Sequence, residues 1–357
     1  MKPTSRKQPT KTGRKRPGCG TRRERPDCSA RRERPDWVWN WQDGATQSAL
    51  RLFRTCPHQF WLTYCQGWRA MLTSTAIEQG SAFHHLLEGG LAEGYILKRR
   101  LETPPAVRTA DWTDNLHWAV AIAEWSYQHY QVFWEKHPIE NKVSEAVFDI
   151  DGPAGLRLRG KIDGYGQLKD ARSGRTLNVV IETKYRSQID EETTKAALPY
   201  QFQPLLYAYA LQRLTGIVVD GIVLDVVRRP ALRPRQSETV VQYLDRLTED
   251  YHERPAWYFM RWLVRLEPGD IDQWVSRCLE PLARRLREWW RSIVKYDDPF
   301  QSPLHYLNDD ALVDGFSRCA LFHLITDGST FGLYRVTKPF PELEPIEDAE
   351  SSQQTSC

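Results

Sequence analysis

Several features of membrane and secreted proteins are missing from this 357-residue chain. No apolar run reaches the roughly 20 residues that cross a bilayer, and the N-terminus lacks the apolar core of a signal peptide. The seven cysteines are scattered and odd in number, and they form neither a disulfide framework nor a C-x-x-C zinc site. We therefore expect a cytoplasmic protein with reduced thiols and no membrane partner. The hydrophobic content of 41% is enough for a substantial core.

The nearly balanced net charge of +3 conceals an uneven distribution. Residues 1–36 carry thirteen Lys or Arg and four Asp or Glu, or +9, so the remainder of the chain sums to −6. The same segment is poor in apolar residues and contains a tandem nonapeptide, Cys19–Asp27 followed by Cys28–Asp36. It predicts a disordered basic tail, which either holds nucleic acid through its phosphates or only adds solubility. A flexible acidic tail is predicted over residues 341–357.

Two short apolar segments near the middle of the chain each end in a carboxylate. They are Leu156–Asp163 and Leu177–Glu182, and the polar, glycine-containing segment Gly164–Arg175 predicts a turn between them. Paired as neighbouring strands, they bring Asp163 close to Glu182. Two converging carboxylates are unfavourable unless a cation lies between them, and a few oxygen ligands suit Mg²⁺ or Mn²⁺.

Lys184 lies two residues beyond Glu182 and therefore shares its face of a strand. An ammonium at this position can orient a water molecule and stabilise negative charge on a phosphorane-like transition state. An Asp followed by Glu-x-Lys thus favours a metal-assisted phosphodiesterase. Taken by itself, the stretch also fits a solvated hairpin with surface salt bridges, because such patterns recur by chance in a chain that is 27% charged.

The neighbouring segments favour the first interpretation. Five motifs follow one another in the chain: Ser48–Tyr64 with Cys56-Pro57 inside it, Gly80–Glu88, Gly160–Asp163, Glu182–Lys184 and Gln203–Tyr207. In this order they resemble the PD-(D/E)xK nuclease superfamily. The resemblance is to the RecB-type branch, which includes CRISPR-associated and AddB-like nuclease domains.

The resemblance implies an α/β fold with a restriction-endonuclease-like core, in which helices flank a mixed central sheet, over residues 37–340. It also assigns roles to individual residues. The implied catalytic residues are Asp163, Glu182, Lys184, Gln203 and Tyr207. The implied metal ligands are His84, Asp163, Glu182 and the backbone carbonyl of Thr183.

The prediction also distinguishes His84 from the neighbouring histidine and adds one further carboxylate. The spacing from Gly80 selects His84 over the adjacent His85, and on a helix the two rings point about 100° apart, so both cannot face one metal. We also expect Gly80 to let the helix approach the sheet closely. Glu145 offers another carboxylate from the preceding strand. Without the resemblance, His84 would be interpreted as a hydrogen-bonded helix residue.

The cysteines depart from the pattern of the iron–sulfur members of this branch. Those members have one cysteine before the nuclease core and three after it. Here Cys56 occupies the first position, and only Cys319 remains near the other end. Two thiolates cannot fill a four-thiolate cluster, so no iron–sulfur cluster is predicted. Cys56 and Cys319 are expected to pack as reduced residues.

These observations predict an Mg²⁺- or Mn²⁺-dependent deoxyribonuclease, either an exonuclease or an enzyme that prefers single strands. DNA is the expected partner, together with recombination or replication proteins, in DNA repair or in a phage or CRISPR setting. The presence of His84, Asp163, Glu182 and Lys184 argues against an inactive copy. The alternative is a non-catalytic nucleic-acid-binding or assembly module on the same fold.

Apolar periodicity and turn residues also predict the secondary structure. We expect Ser48 to cap a helix, and Pro199 and Pro204 to bend or restart the helix that carries Gln203. The predicted helices are 48–53, 57–64, 78–91, 111–137, 191–214 and 270–295. The predicted strands outside the two carboxylate segments are 144–150, 216–228 and 239–244.

Overall fold

The computed structural model of the chain describes residues 37–71, 73–296, 298–314 and 317–343. Two helical segments, Pro57–Phe60 and Asp270–Trp274, continue into one π-helical turn each, at Trp61–Cys65 and Val275–Leu279. The α-helices are α1 Gln47–Thr55, α2 Pro57–Phe60, α3 Thr75–Leu87, α4 Ala92–Glu102, α5 Ala110–Trp134, α6 Glu191–Ala197, α7 Phe202–Thr215, α8 Val240–Glu253, α9 Pro255–Tyr258, α10 Asp270–Trp274, α11 Glu280–Tyr296 and α12 Phe322–Asp327.

The strands are β1 Trp68–Ala70, β2 Glu140–Asp151, β3 Arg157–Lys169, β4 Thr176–Arg186, β5 Gly221–Arg228, β6 Phe259–Arg265, β7 Val313–Asp314, β8 Ser317–Arg318 and β9 Leu333–Arg335. Five of them form a mixed sheet with the order β2-β3-β4-β5-β6 at the centre of the fold. Neighbouring strands in this sheet are antiparallel except for β4 and β5, which are parallel and connected through α6 and α7. Two small antiparallel pairs, β1 with β9 and β7 with β8, lie outside it.

Apolar side chains cover both faces of this sheet. One cluster packs α1, α2, α7 and α11 against β3 and β5, with Trp39 and Trp289 fully buried inside it. A second cluster packs α3, α5 and α8 around Phe83, Val227 and Phe259. Strand β5 lies between the two and is buried along almost its whole length. The α/β fold with a mixed sheet flanked by helices is therefore confirmed.

Most predicted elements are present. The stretch 216–228 forms a strand only from Gly221, because Gly216 has a left-handed conformation that ends α7. The helix before it is interrupted by a 3₁₀ turn, Leu198–Tyr200, at Pro199. Pro204 instead lies in the first turn of α7, where a missing N–H costs nothing.

Three local predictions were wrong. The first carboxylate strand does not end at Asp163 but continues to Lys169, which leaves only residues 170–175 for the turn. Helix α1 is capped by Thr46 and not by Ser48, since the Thr46 hydroxyl accepts the Ala49 N–H at 3.2 Å. Residues 239–244 begin helix α8, because Thr239 and Gln242 form a reciprocal capping box at its start.

The expectation about Gly80 was also wrong. A Cβ atom placed there would lie 3.8 Å from the Tyr185 Cβ, an ordinary contact, so the approach of α3 to β4 does not require glycine. Helix α4 and strand β6 were not predicted. No helix among the described ranges is long and apolar enough to cross a membrane. The tails predicted at 1–36 and 341–357 lie outside the described residues, apart from 341–343.

Candidate active site

A cleft of about 790 Å³ opens between the sheet and helices α3 and α7. Every side chain predicted for the site lines it except that of Glu182, which is fully buried. The lining residues of the prediction are His84, Glu145, Asp163, Thr183, Lys184, Gln203 and Tyr207.

Strand register explains why three carboxylates converge here. Ser144 pairs with Gly164 and Ala146 with Ile162, so Glu145 of β2 lies opposite Asp163 of β3. Gly164 pairs in turn with Ile181, which aligns Asp163 with Glu182 of β4. Directly opposed residues of antiparallel strands lie side by side, so the three carboxylates form a row across the sheet.

Helix α3 adds an imidazole to this row. Ligand atoms of His84, Glu145 and Asp163 all lie within 4.8 Å of one another, close enough to share one metal ion. His84 Nδ1 lies 3.8 Å from Glu145 Oε1. Glu145 has a left-handed backbone with φ of 53°, which costs a non-glycine residue on the order of 1 kcal/mol or more. Such strain in the middle of a strand is typical of functional positions.

Glu182 is the least solvated carboxylate of the site. Its exposure is 0%, and the Lys184 ammonium is the one cation that contacts it, at Oε1, within the described part of the chain. Apart from that ion pair, neither oxygen has a hydrogen-bond donor among the described residues. Burial and the nearby Asp163 raise the pKa of Glu182 to about 7, against the opposing effect of Lys184.

The other groups are also electrostatically coupled. Burial alone would lower the pKa of His84, but Glu145, Asp163 and Glu182 outweigh it and raise that pKa above its usual value. Burial raises the pKa of Glu145, although its contact with His84 acts in the opposite direction. A site that holds this much negative charge at reduced solvation favours the binding of a cation.

Backbone and side-chain hydrogen bonds hold the remaining predicted residues in place. The Thr183 N–H donates to Asp163 Oδ2 at 3.0 Å, which fixes that carboxylate against β4. Lys184 Nζ donates to Gln203 Oε1 at 3.2 Å, and Gln203 Nε2 donates to the Tyr207 hydroxyl at 3.0 Å. Helix α7 therefore anchors the lysine through its i,i+4 pair, as residues on one helical face allow.

His85 is not part of the group that could share a metal. Its ring packs against Tyr95 with centroids 5.7 Å apart. A Cβ atom at Gly90 would lie 2.2 Å from His85 Nε2, so any larger residue there would require the His85 ring to move. The two histidines thus have separate surroundings, as their adjacent positions on a helix require.

The sequence reasoning missed a basic rim around the cleft. We use this name for Lys98, Lys161, Arg186 and Arg229, all of which line the cavity. Arg186 and Arg229 lie at the ends of the parallel strands, where the Arg229 N–H donates to the Arg186 carbonyl at 2.7 Å. Neither guanidinium is paired with a carboxylate in the ranges that the structure describes. Arg186 could have been found from its spacing, since it shares the face of Lys184 two residues before it.

The cysteines lie away from this cleft. Cys56 is buried at the end of α1, where its sulfur accepts the Asn308 N–H at 3.4 Å. Cys319 is half-buried against the apolar cluster that contains Trp39 and Trp289. All four described cysteines are free thiols. The absence of an iron–sulfur cluster stays a prediction.

Comparison with known proteins identifies the family. No curated protein matches the sequence significantly. The sequence model of the PD-(D/E)XK nuclease superfamily matches residues 45–257, which is more than half of the chain and includes every residue of the candidate site. That match names the superfamily and no branch within it. The chain therefore belongs to the PD-(D/E)XK nuclease superfamily.

Proposed function

We propose that this protein is a deoxyribonuclease that hydrolyses phosphodiester bonds with the help of Mg²⁺ or Mn²⁺. The observation that carries the proposal is the convergence of His84, Glu145 and Asp163 within 4.8 Å of one another, in a cleft that also contains Lys184. Membership of a nuclease superfamily supports a nucleic acid as substrate and a divalent metal as cofactor.

The donor atoms fit such a metal. Carboxylate oxygens and one imidazole nitrogen suit Mn²⁺ well and Mg²⁺ acceptably, whereas no thiolate from the described residues lines the cleft. The buried Glu182 carboxylate, with Lys184 as its one contacting cation in the described chain, fits the edge of such a site. When bound, the metal would lower the pKa of a water molecule and polarise the phosphoryl oxygens.

The protein's own groups have distinct roles in this proposal. His84, Glu145 and Asp163, with Glu182 and the carbonyl of Thr183, hold the metal. Lys184 stabilises the negative charge that develops on phosphate, because its ammonium lies beside the carboxylates and inside the cleft. Gln203 and Tyr207 position Lys184 through their chain of hydrogen bonds.

The basic rim supports a polyanionic substrate. Cations around an acidic centre can bind the phosphates that flank the one under attack, while the carboxylates at the centre would hold the metal. We infer DNA, and a preference for ends or single strands, from the sequence resemblance to the RecB-type branch. The same resemblance suggests recombination or replication proteins as partners.

The experiment is a cleavage assay with end-labelled linear and circular DNA, single- and double-stranded, and a matched RNA. Each substrate is incubated with Mg²⁺, Mn²⁺ or EDTA. Wild type is compared with Lys184→Ala and with Lys169→Ala, an exposed lysine at the far end of β3. We expect metal-dependent cleavage that falls about 100-fold or more in Lys184→Ala and stays unchanged in Lys169→Ala.

The pattern of products decides the finer points. Loss of linear substrates alone identifies an exonuclease, and cutting of circles identifies an endonuclease with the same chemistry. Cleavage confined to RNA would contradict the assignment to DNA. Tight binding of DNA without cleavage under any metal condition would overturn the proposal in favour of a non-catalytic binding module.

A further inference from the structure

A second, smaller cavity of about 250 Å³ adjoins the catalytic cleft. The two share one wall, formed by Lys184, Arg186 and Gln188 at the end of β4. A group bound in the small cavity would therefore lie directly beside a phosphate held at Lys184. Nothing in the proposed hydrolysis uses this space.

The floor of the small cavity is apolar. Leu224 and Val226 of β5 form it, and Ile189 adds a further apolar side chain. Register explains the placement, since Leu224 pairs with Glu182 and Val226 with Lys184. The floor thus belongs to the same face of the sheet as the catalytic lysine. Apolar surface of this kind favours a flat or apolar group over a phosphate.

Neutral polar side chains that make no hydrogen bond to another described residue surround that floor. The side chains of Gln188, Thr194 and Gln201 line the cavity, and none of them makes a hydrogen bond to any described residue. Asp190 also lines the cavity, and it caps α6 by accepting the Thr193 N–H at 3.0 Å. This carboxylate would repel a phosphate, so charge favours an uncharged ligand beside it.

We propose that the small cavity receives the base of the nucleotide next to the scissile phosphate. An apolar floor with amide and hydroxyl groups around it matches a heterocyclic base, whose faces are apolar and whose edges donate and accept hydrogen bonds. A base can enter only when it is unpaired, so the cavity selects single strands or frayed ends. The inference rests on the proposed function and adds a base-recognition site to it.

The first test uses single-stranded oligonucleotides in which one nucleotide lacks its base. The abasic unit is moved through every position relative to the mapped cut, and cleavage is measured for wild type, Gln201→Leu and Gln212→Leu. Gln212 is the matched control, because it lies on the last turns of α7 and lines a different cavity. Both glutamine side chains lack a hydrogen-bond partner among the described residues.

We expect the abasic unit to slow wild-type cleavage about fivefold or more at one position flanking the cut, and much less elsewhere. On strands without an abasic unit, Gln201→Leu should lower kcat/KM about three- to tenfold. It should also reduce any difference in cleavage rate between the four bases at that position. Gln212→Leu should behave as wild type. Equal cleavage at all abasic positions, or equal behaviour of the two glutamine variants, would overturn the inference.

A second measurement separates this inference from the proposed function. Single strands that contain 2-aminopurine are titrated with Ca²⁺-loaded wild type, Gln201→Leu and Gln212→Leu, and base fluorescence reports the local environment without cleavage. A fluorescence change that Gln201→Leu abolishes supports the base site even in a protein that cuts nothing. Binding with no such change overturns the base site even in an active nuclease.

Discussion

Among the charged groups of the candidate site, Glu182 is the one most affected by burial. A fully buried carboxylate beside Asp163 is unfavourable without a metal, which is why its pKa rises to about 7. The unfolded chain would have a pKa near 4.3 at this position. Between these two values the folded, metal-free protein binds more protons than the unfolded chain does.

The contribution of Glu182 to the free energy of unfolding of the metal-free protein should therefore fall as pH rises. A raised folded-state pKa contributes stability that is full below about pH 4.3 and is lost as pH passes through about 7. In EDTA, Glu182→Gln should raise the Tm at pH 8 by about 2–4 °C and have a smaller effect at pH 5.5. Thermal unfolding at both pH values checks this.

Metal should reverse the direction of that pH dependence. Binding displaces protons from Glu182 and its neighbours, so Mn²⁺ should raise the Tm of wild type more at pH 8 than at pH 5.5. Much of that increase should be missing in Glu182→Gln. A metal-free Tm that is lower in Glu182→Gln than in wild type at pH 8 would contradict the conclusion that this buried carboxylate destabilises the metal-free protein at that pH.

Strand β5 connects the site to the far side of the fold. Its Asp225 is fully buried and accepts hydrogen bonds from Tyr130 of α5 and from Arg261 of β6, the latter at 2.8 Å. Arg261 is itself almost buried and lies over the Trp134 ring, 3.9 Å from its centroid. This group connects α5 and β6 to β5, the strand that pairs with β4 of the candidate site.

Breaking that group should destabilise the protein strongly. Asp225→Leu leaves the Arg261 cation buried without its partner, and we expect a loss of about 3–5 kcal/mol in the free energy of unfolding. The double variant Asp225→Leu/Arg261→Met should lose distinctly less than the single variant. Urea unfolding measures both values.

An exposed ion pair provides the comparison. Glu280→Ala removes the partner of Arg284 on the surface of α11 and should cost below about 1 kcal/mol. If Asp225→Leu lowered the free energy of unfolding no more than Glu280→Ala does, the buried group would not stabilise the packing of α5 and β6 on β5.

Across the whole molecule, charge is divided between the N-terminal segment and the rest of the chain. Residues 1–36, which the structure does not describe, carry +9, and the rest sums to −6. Every residue of the candidate site and of its basic rim lies beyond that segment. Phosphate contacts from the basic segment would add affinity without contributing to chemistry.

A chain that begins at residue 37 should therefore keep its cleavage chemistry and lose DNA affinity. We expect a higher KM, an unchanged kcat on short single strands, and a shallower dependence of log K on log salt. Filter binding between 50 and 300 mM salt measures that slope. An unchanged slope would identify the segment as a solubilising extension, and a fall in kcat would give it a role in the site.

The sequence predicted those parts of the fold that depend on local pattern. Short apolar runs and the intervening polar, glycine-containing segment indicated the strands of Asp163 and Glu182, and Pro199 marked the break before Gln203. Errors arose where two local patterns compete. Residues 239–244 contain the β-branched and aromatic residues that are common in strands, but the Thr239 cap starts a helix. Gly164 suggested a turn inside a continuous strand.

By itself, then, the sequence determined the superfamily, most of the elements and the candidate catalytic motif, because these depend on residue type and spacing along the chain. Only the tertiary structure decided how the motif is completed. The register of three strands and the left-handed backbone of Glu145 bring that carboxylate to His84, and the parallel pairing of β4 with β5 places an apolar floor beside Lys184. Strand register and packing bring together residues that are distant in sequence, so no local sequence pattern encodes this arrangement.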